Sequence, residues 1–394
     1  MKENFKKYSL LLKIFLSIIL GILIGIFMPK IIVDVFININ ILIGKLINFF
    51  VPLIILGYVI NGVSSLGKNS NKSILITVVV SYLSMIFSAF FSYFAVKNIF
   101  FIKYLNIKNI KIDISDNNIK NNIFSQINIA PIMSVMSALF LAFIIGIGIS
   151  SIKSEYLKKL SSDFHNIVEK LVKKVMIPLI PFYIIGTFTK ISSSGQIYKI
   201  ITTFSVIIMC IVIIQTCAVL FLFLVASITS KSNFFVLIKN TLPAYFVALG
   251  TQSSVSTIPV SIECAKKNKI SESFVNFVIP FCTTLHFCGS AISIMTSSTV
   301  IILSNNIDVN FKTISIFISV FGLLLTAVPG VPAGAVFAVS EILKSALGFN
   351  PDMISLIVSI HLMQDSFGTA CNVSGSSALS VIINSIHSKK LSKI

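Results

Sequence analysis

Near the C-terminal end of the chain, His361 to Ser376 reads HLMQDSFGTACNVSGS and gathers side chains that could do chemistry. Asp365 is one of only 13 acidic residues among 394, and its segment is otherwise as apolar as a membrane span. At about 100° per residue, His361, Asp365, Gly368, Thr369, Asn372 and Ser376 share one helical face, with Ile, Leu, Met and Val on the other. A charge held in hydrocarbon costs about 2.5 kcal/mol or more and turns towards a bundle interior or a wet cavity. The face is therefore expected to floor a binding site whose buried carboxylate needs a cationic partner. His361 precedes Asp365 by one turn, and a second histidine, His286, lies in the polar cluster TTLHFCGS. Histidine titrates near neutrality, so this set could carry a proton. Alternatively, His361 hydrogen-bonds Asp365 and His286 caps a broken helix end.

The elements that position this face are those of a membrane protein. The chain is 55% hydrophobic and 11% charged, with a mean hydropathy of +0.97, far from the roughly 25% charged residues of a soluble domain. Its 31 basic residues are all lysine, giving a net charge of +18 with no arginine to grip a carboxylate in two places. The lysines are scattered between apolar spans, which excludes a nucleic-acid partner. Six cysteines, at 210, 217, 264, 282, 288 and 371, form no CxxC pair and read as small core residues, with no metal site or disulfide framework. The apolar run from Ser9 to Met28 follows Lys2, Lys6 and Lys7 and lacks a small-x-small cleavage site, so it reads as a retained first span.

Long apolar stretches at 9–29, 40–62, 73–102, 127–152, 174–191 and 196–229 are each expected to cross the membrane. After residue 230 the rhythm breaks. Residues 232–264 and 313–347 are interrupted midway by GTQSSVSTIP and AVPGVPAGA, between them lies 271–303, and 351–387 comes last. Non-helical backbone is tolerated at membrane depth only where protein or a water-filled cavity satisfies it. Two such segments in corresponding places therefore predict re-entrant hairpins around a transport site. The fold class expected is all-α, with eight transmembrane helices and two re-entrant hairpins. Lysine bias puts both termini in the cytoplasm, with about 19 lysines inside against about 10 outside, the latter concentrated in an exterior segment at 97–126. The inner segment 153–173 reads as a helix extension or amphipathic connector with a solvated charged face.

The order of these elements and the wording of the second half resemble the dicarboxylate/amino acid:cation symporter family, the glutamate-transporter-like proteins. The matching motifs are QSSVSTIP (Gln252 to Pro259), TLHFCGSA around His286, GVPAGA (Gly330 to Ala335) and QDSFGTACNVSG in the last span, with PLIPFYIIGTF at 178–188 resembling the family's fifth helix. The resemblance implies an elevator-type homotrimer. Scaffold helices would lie in 1–72 and 127–195. Transport-domain elements would lie in 73–126 and in 196–394, the latter comprising helix 6, hairpin 1 (232–264), helix 7 (271–303), hairpin 2 (313–347) and helix 8 (351–387).

Carried over residue by residue, the resemblance gives Asp365 the substrate ammonium and Asn372 the α-carboxylate, with Thr369, Ser254 and the hairpin glycine Gly334 as neighbouring contacts. The family's acidic-substrate members hold the side-chain carboxylate with an arginine where this chain has Gly368. A neutral amino acid is therefore the expected substrate, and the QDS wording is similar to the family's serine/threonine transporters. The family also places carboxylates for sodium where this chain has Ser376 and, in many branches, Cys288, while the asparagine opening the helix 7 motif is His286. Neither thiol nor imidazole is a hard oxygen ligand. Sodium coupling is thus expected to be reduced or altered, with His286, Cys288, Ser376 and His361 as the candidate coupling positions for Na+ or H+.

The function expected is symport of a small neutral amino acid such as serine or threonine across a bacterial cytoplasmic membrane, with no cofactor and no resident metal. The alternatives are a proton-coupled carrier of another small carboxylate or dicarboxylate and, from another class, an ion channel or pore. An enzyme is not expected: no second intramembrane aspartate forms a dyad, and neither GxSxG nor HExxH occurs.

Overall fold

The computed structural model describes residues 2–65, 72–98, 129–152, 154–193, 195, 197–268, 270, 272–326 and 334–391. Most of the expected exterior segment at 97–126 lies outside them, as do Gly330 with the rest of 327–333, Lys269 and Lys393. Among the described residues the structure is helical and has no strand, as the all-α reading expects.

The first part of the chain forms α1 (Lys2–Phe27), α2 (Lys30–Ser65), α3 (Lys72–Asn98), α4 (Val135–Ile152), α5 (Glu155–Leu171) and α6 (Ile177–Ser193), with a π turn at Val172–Met176 joining the last two. The second part forms α7 (Ile197–Ser230), α8 (Phe234–Thr251), α9 (Ser254–Lys267), α10 (Glu272–Leu285), α11 (Cys288–Ser304), α12 (Phe311–Thr326), α13 (Gly334–Leu347), α14 (Pro351–Met363) and α15 (Asp365–Leu391). Among the described residues, six stretches are long and apolar enough to cross a membrane: Lys30–Asn61, Leu75–Asn98, Glu155–Ser193, Phe204–Ser230, Phe234–Thr251 and Phe274–Ser304. By contrast α9 and α13, with 14 residues each, are about 21 Å long at 1.5 Å per residue, short of a hydrocarbon core of about 30 Å.

Local chemistry sets the breaks. Asn233 caps α8 by accepting from Phe235 N and Val236 N. That helix ends at Gln252, which takes a left-handed φ of 51°. Ser253 then starts α9 by accepting from Ser256 N at 3.2 Å. Asn240 of α8 donates to the Lys267 carbonyl and to Asn268 Oδ1, so the two helices run back along each other. Asn350 accepts from Met353 N and, with Pro351 behind it, opens α14. The last span, expected as one helix over 351–387, is two. Gln364 leaves helical geometry at φ −98°, ψ 5°, and its side-chain amide donates back to the His361 carbonyl.

Helices α1, α2, α4, α5 and α6 pack on one another, and α3 with α7 to α15 forms a second packed group; α13 and α14 reach α1, α2 and α6 between them. In the first group small residues let backbones touch: a Cβ on Gly21 or Gly25 would lie 2.6 Å from the Ile185 or Thr189 carbonyl of α6. In the second, α11 is the central rod. Every described side chain from Cys288 to Ser304 except Leu303 is buried, including Ser290, Ser293, Thr296, Ser297, Ser298 and Thr299. A serine stripe on α3 faces it, with Ser92 bonded to Thr296 at 2.8 Å and Ser84 to His286 at 3.0 Å. The outward face of α7 is the reverse, exposing Met209, Ile213, Leu220, Leu224 and Ile228.

Among the described residues an ion pair ties the groups together: Lys190 of α6 reaches Asp352 of α14 at 2.7 Å, each side chain 17% exposed, beside a hydroxyl contact between Tyr183 and Ser355. Lys190→Met removes the cation from a half-buried pair and is expected to lower the stability of the detergent-solubilised protein by about 1–3 kcal/mol. A fall in unfolding temperature measures this; an unchanged temperature would make the pair ornamental.

Candidate functional site

The face predicted from the sequence lies on the last turn of α14 and the first three turns of α15. Asp365 is the first residue of α15 and half-buried, and among the described residues no side chain hydrogen-bonds its carboxylate or pairs with it. His361 is buried and turns away from Asp365, placing Nδ1 3.2 Å from Ser293 Oγ on α11. Thr369 is buried one turn beyond Asp365. Ser366 bonds Gln252 Nε2 at 2.7 Å, which docks the tip between α8 and α9 beside the start of α15. Ser254, at the same tip, is the buried first residue of α9.

The break between α10 and α11 meets α15 through backbone. Gly289 N donates to Asn372 Oδ1 at 2.7 Å. A donor there fixes Oδ1 as the acceptor and leaves the Nδ2 hydrogens of Asn372 without a partner among the described residues. A Cβ on Gly289 would lie 2.3 Å from the Gly368 carbonyl, and one on Gly375 would meet His286 Cε1 at 2.7 Å and Cys288 Sγ at 2.8 Å. Only glycine permits these approaches. His286 sits buried in the break, its Nε2 on Ser84 and its Nδ1 without a hydrogen-bond partner among the described residues. Ser376, one turn beyond Asn372, is buried with its hydroxyl unpartnered among the described residues. Gly334 is the buried first residue of α13, and Gly330 lies outside the described residues. The structure thus sets Asp365, Thr369 and Asn372 along one stretch of α15, with Gly289 on Asn372 and the α8–α9 tip on Ser366. His361 is turned to Ser293 instead.

Gln215 and Gln364, neither of them among the expected site residues, complete this arrangement. Gln215, buried in α7, donates to the Gly289 carbonyl at 3.0 Å and to Gln364 Oε1 at 2.8 Å. A Cβ on Gly368 would lie 3.2 Å from Gln364 Nε2 and 3.6 Å from Gln215 Nε2, so this amide pair occupies the space beside Gly368. The available signal was Gln215 itself, a strongly polar residue in an apolar run. Gln215→Leu leaves the Gly289 carbonyl and Gln364 Oε1 without their donor and should lower stability by about 1–3 kcal/mol. Thermal unfolding reads this directly, and an unshifted curve would remove Gln215 from the account.

A cavity of about 170 Å³ lies between α7, α8 and α15, lined by apolar Phe223, Leu242 and Phe367 and by Gln215, Cys371 and Ser374. Phe367, Cys371 and Ser374 lie about 120–180° round α15 from Asp365, so this space is behind the candidate face.

Comparison with known proteins fits this geometry. The family model described as "Sodium:dicarboxylate symporter family" matches residues 10–386. The chain belongs to that family. Within the sodium:dicarboxylate symporter family it is 28% identical over 230 residues to excitatory amino acid transporter 1 of Mus musculus. It is 28% identical over 198 residues to excitatory amino acid transporter 5 of the same species, and 24% identical over 254 residues to an excitatory amino acid transporter of Caenorhabditis elegans. The three matches cover 57%, 50% and 62% of this chain and 42%, 35% and 49% of those relatives, so less than half of each relative is spanned. Family membership and the long apolar helices make the chain a multi-pass membrane protein of a transporter family.

Proposed function

We propose that this chain is a cation-coupled symporter of a small neutral amino acid, with serine and threonine as the leading candidates. The observation that carries the reading is the half-buried Asp365 carboxylate with no counter-charge among the described residues. An amino acid's ammonium supplies that counter-charge. The free Nδ2 donor of Asn372 lies two turns along the same helix, about 10 Å in rise, suited to the ligand's carboxylate at the other end. Neutral character follows from Gly368: no cation stands there, and the Gln215 and Gln364 amides fill the space. Thr369, Ser254 and Gly334 complete the proposed contacts.

The two packed groups of helices correspond to the scaffold and the mobile transport domain of an elevator, assembled as a homotrimer in the cytoplasmic membrane with both termini inside. In such a cycle the Lys190–Asp352 pair would part each time α14 moves against α6. Coupling uses fewer sodium ions than carboxylate-bearing sites would take, because Ser376 and Cys288 offer no carboxylate. A proton in place of a sodium ion is the second reading, favoured by the buried Nδ1 of His286, which has no hydrogen-bond partner among the described residues.

The test is a thermal-shift screen of the purified protein against neutral and acidic amino acids, each with sodium, potassium or a pH change. A ligand at a hundred times its Kd stabilises the folded state by about 2.7 kcal/mol. Shifts with serine or threonine and none with glutamate or aspartate are expected. Stabilisation by the acidic pair alone would overturn the neutral-substrate reading, and large ohmic currents in bilayers would replace the carrier with a pore.

A further inference from the structure

The six cysteines have no shared motif, yet two of them meet. Cys288, the first residue of α11, and Cys371, on the second turn of α15, have their sulfurs 3.8 Å apart, and both thiols are free. Cys288 Sγ also points at the Cys371 carbonyl at 3.7 Å, and Cys371 Sγ at the Gln215 carbonyl at 3.8 Å. The backbones beneath them are close, since a Cβ on Gly289 would lie 2.9 Å from Cys371 Cβ. A disulfide needs its sulfurs about 2.05 Å apart, so closure asks for a relative movement of less than about 2 Å.

Access is one-sided. Cys371 borders the cavity between α7, α8 and α15, whereas Cys288 is fully buried behind it. His286, whose Nδ1 has no hydrogen-bond partner among the described residues, shares the Gly375 surface with Cys288 Sγ, and in the tautomer that donates from Nε2 to Ser84 its Nδ1 is a proton acceptor next to that thiol.

We propose that Cys288 and Cys371 form a redox pair, oxidised by a hydroperoxide entering through the cavity, and that their disulfide locks α11 to α15 and switches off ligand binding. In the first step Cys371 sulfur attacks the peroxide O–O bond. A sulfenic acid forms on Cys371, and water or an alcohol departs with the thiol proton. In the second step Cys288 sulfur attacks Cys371 sulfur. The S–S bond forms, the S–O bond breaks, and hydroxide leaves as water with the Cys288 proton, passed through His286. Two thiols are oxidised by two electrons and the peroxide is reduced by two. The lock follows from position. Cys371 adjoins Asn372, whose Oδ1 holds Gly289 N, and Gly289 and Gly368 have no room to approach further. Drawing the sulfurs together therefore displaces Asn372 from its setting.

The switch rests on the reading of Asp365 and Asn372 as a ligand site; formation of the disulfide does not. Full-length protein in detergent is treated with hydrogen peroxide and then digested without reduction. Exposed Cys217 serves as the internal control for oxidation. The expected result is a crosslinked peptide joining residues 288 and 371 with two hydrogens lost, reversed by dithiothreitol and absent in Cys371→Ser. Apparent affinity for L-serine, read by thermal shift, should fall about tenfold or more on oxidation, because only the unlocked fraction is competent, and should recover on reduction. Oxidation of Cys217 without the 288–371 crosslink would overturn the pair. A crosslink that leaves serine binding unchanged would overturn the switch. Reduced protein that shows no serine shift would count against the transport reading alone, with the crosslink still deciding the redox pair.

Discussion

Asp365→Asn should abolish amino-acid binding, lowering affinity by about a hundredfold or more, while the ligand-free protein stays as stable as the parent or gains up to about 1 kcal/mol. The two halves follow from one observation. The carboxylate is half-buried with no cation beside it among the described residues, so its charge raises the energy of the empty site and is offset when a ligand brings an ammonium. Asparagine keeps the shape and removes the charge. A structural aspartate behaves in the opposite way: its replacement destabilises the empty protein. Paired thermal unfolding of parent and variant, with and without serine, separates the cases, and a variant that is less stable but still binds would make Asp365 structural.

Gly289→Ala should be the most damaging single methyl in the second packed group. The added carbon would lie 2.3 Å from the Gly368 carbonyl and 2.9 Å from Cys371 Cβ. Both obstacles belong to a helix held in place by neighbours, and neither is the far end of a flexible side chain. The start of α11 must back away from α15, which stretches the 2.7 Å bond from Gly289 N to Asn372 Oδ1. Overpacking of this kind costs about 1–3 kcal/mol, and the lost bond to Asn372 adds a comparable amount. A lower unfolding temperature and loss of serine binding are expected together. Normal binding in Gly289→Ala would mean that the Gly289–Asn372 contact does not set the site.

Much of this arrangement was legible in the sequence because membrane chemistry makes polar residues conspicuous. The breaks at Gln252–Ser253 and His286–Phe287 fall where QSS and LHF interrupt apolar runs, and Asp365 announces itself as a rare charge. What the pattern could not supply was pairing across the fold. His361 shares the helical face of Asp365, yet its ring finds Ser293 on α11, a partner that periodicity along one helix cannot name. The amides of Gln215 and Gln364 meet only because α7 crosses the kink at Gln364, where the amide also bonds back to the His361 carbonyl. Likewise the cysteines at 288 and 371 look like isolated core residues until α11 is laid against α15.

The central claim is that Asp365 and Asn372 hold the two ends of a neutral amino acid. Uptake of labelled L-serine into proteoliposomes, with L-glutamate in parallel and Asp365→Asn as the comparison, tests it most directly. Saturable, stereospecific serine uptake in the parent, none in the variant, and no glutamate uptake in either is the predicted result. Glutamate uptake by the parent, or serine uptake undiminished in Asp365→Asn, would contradict it.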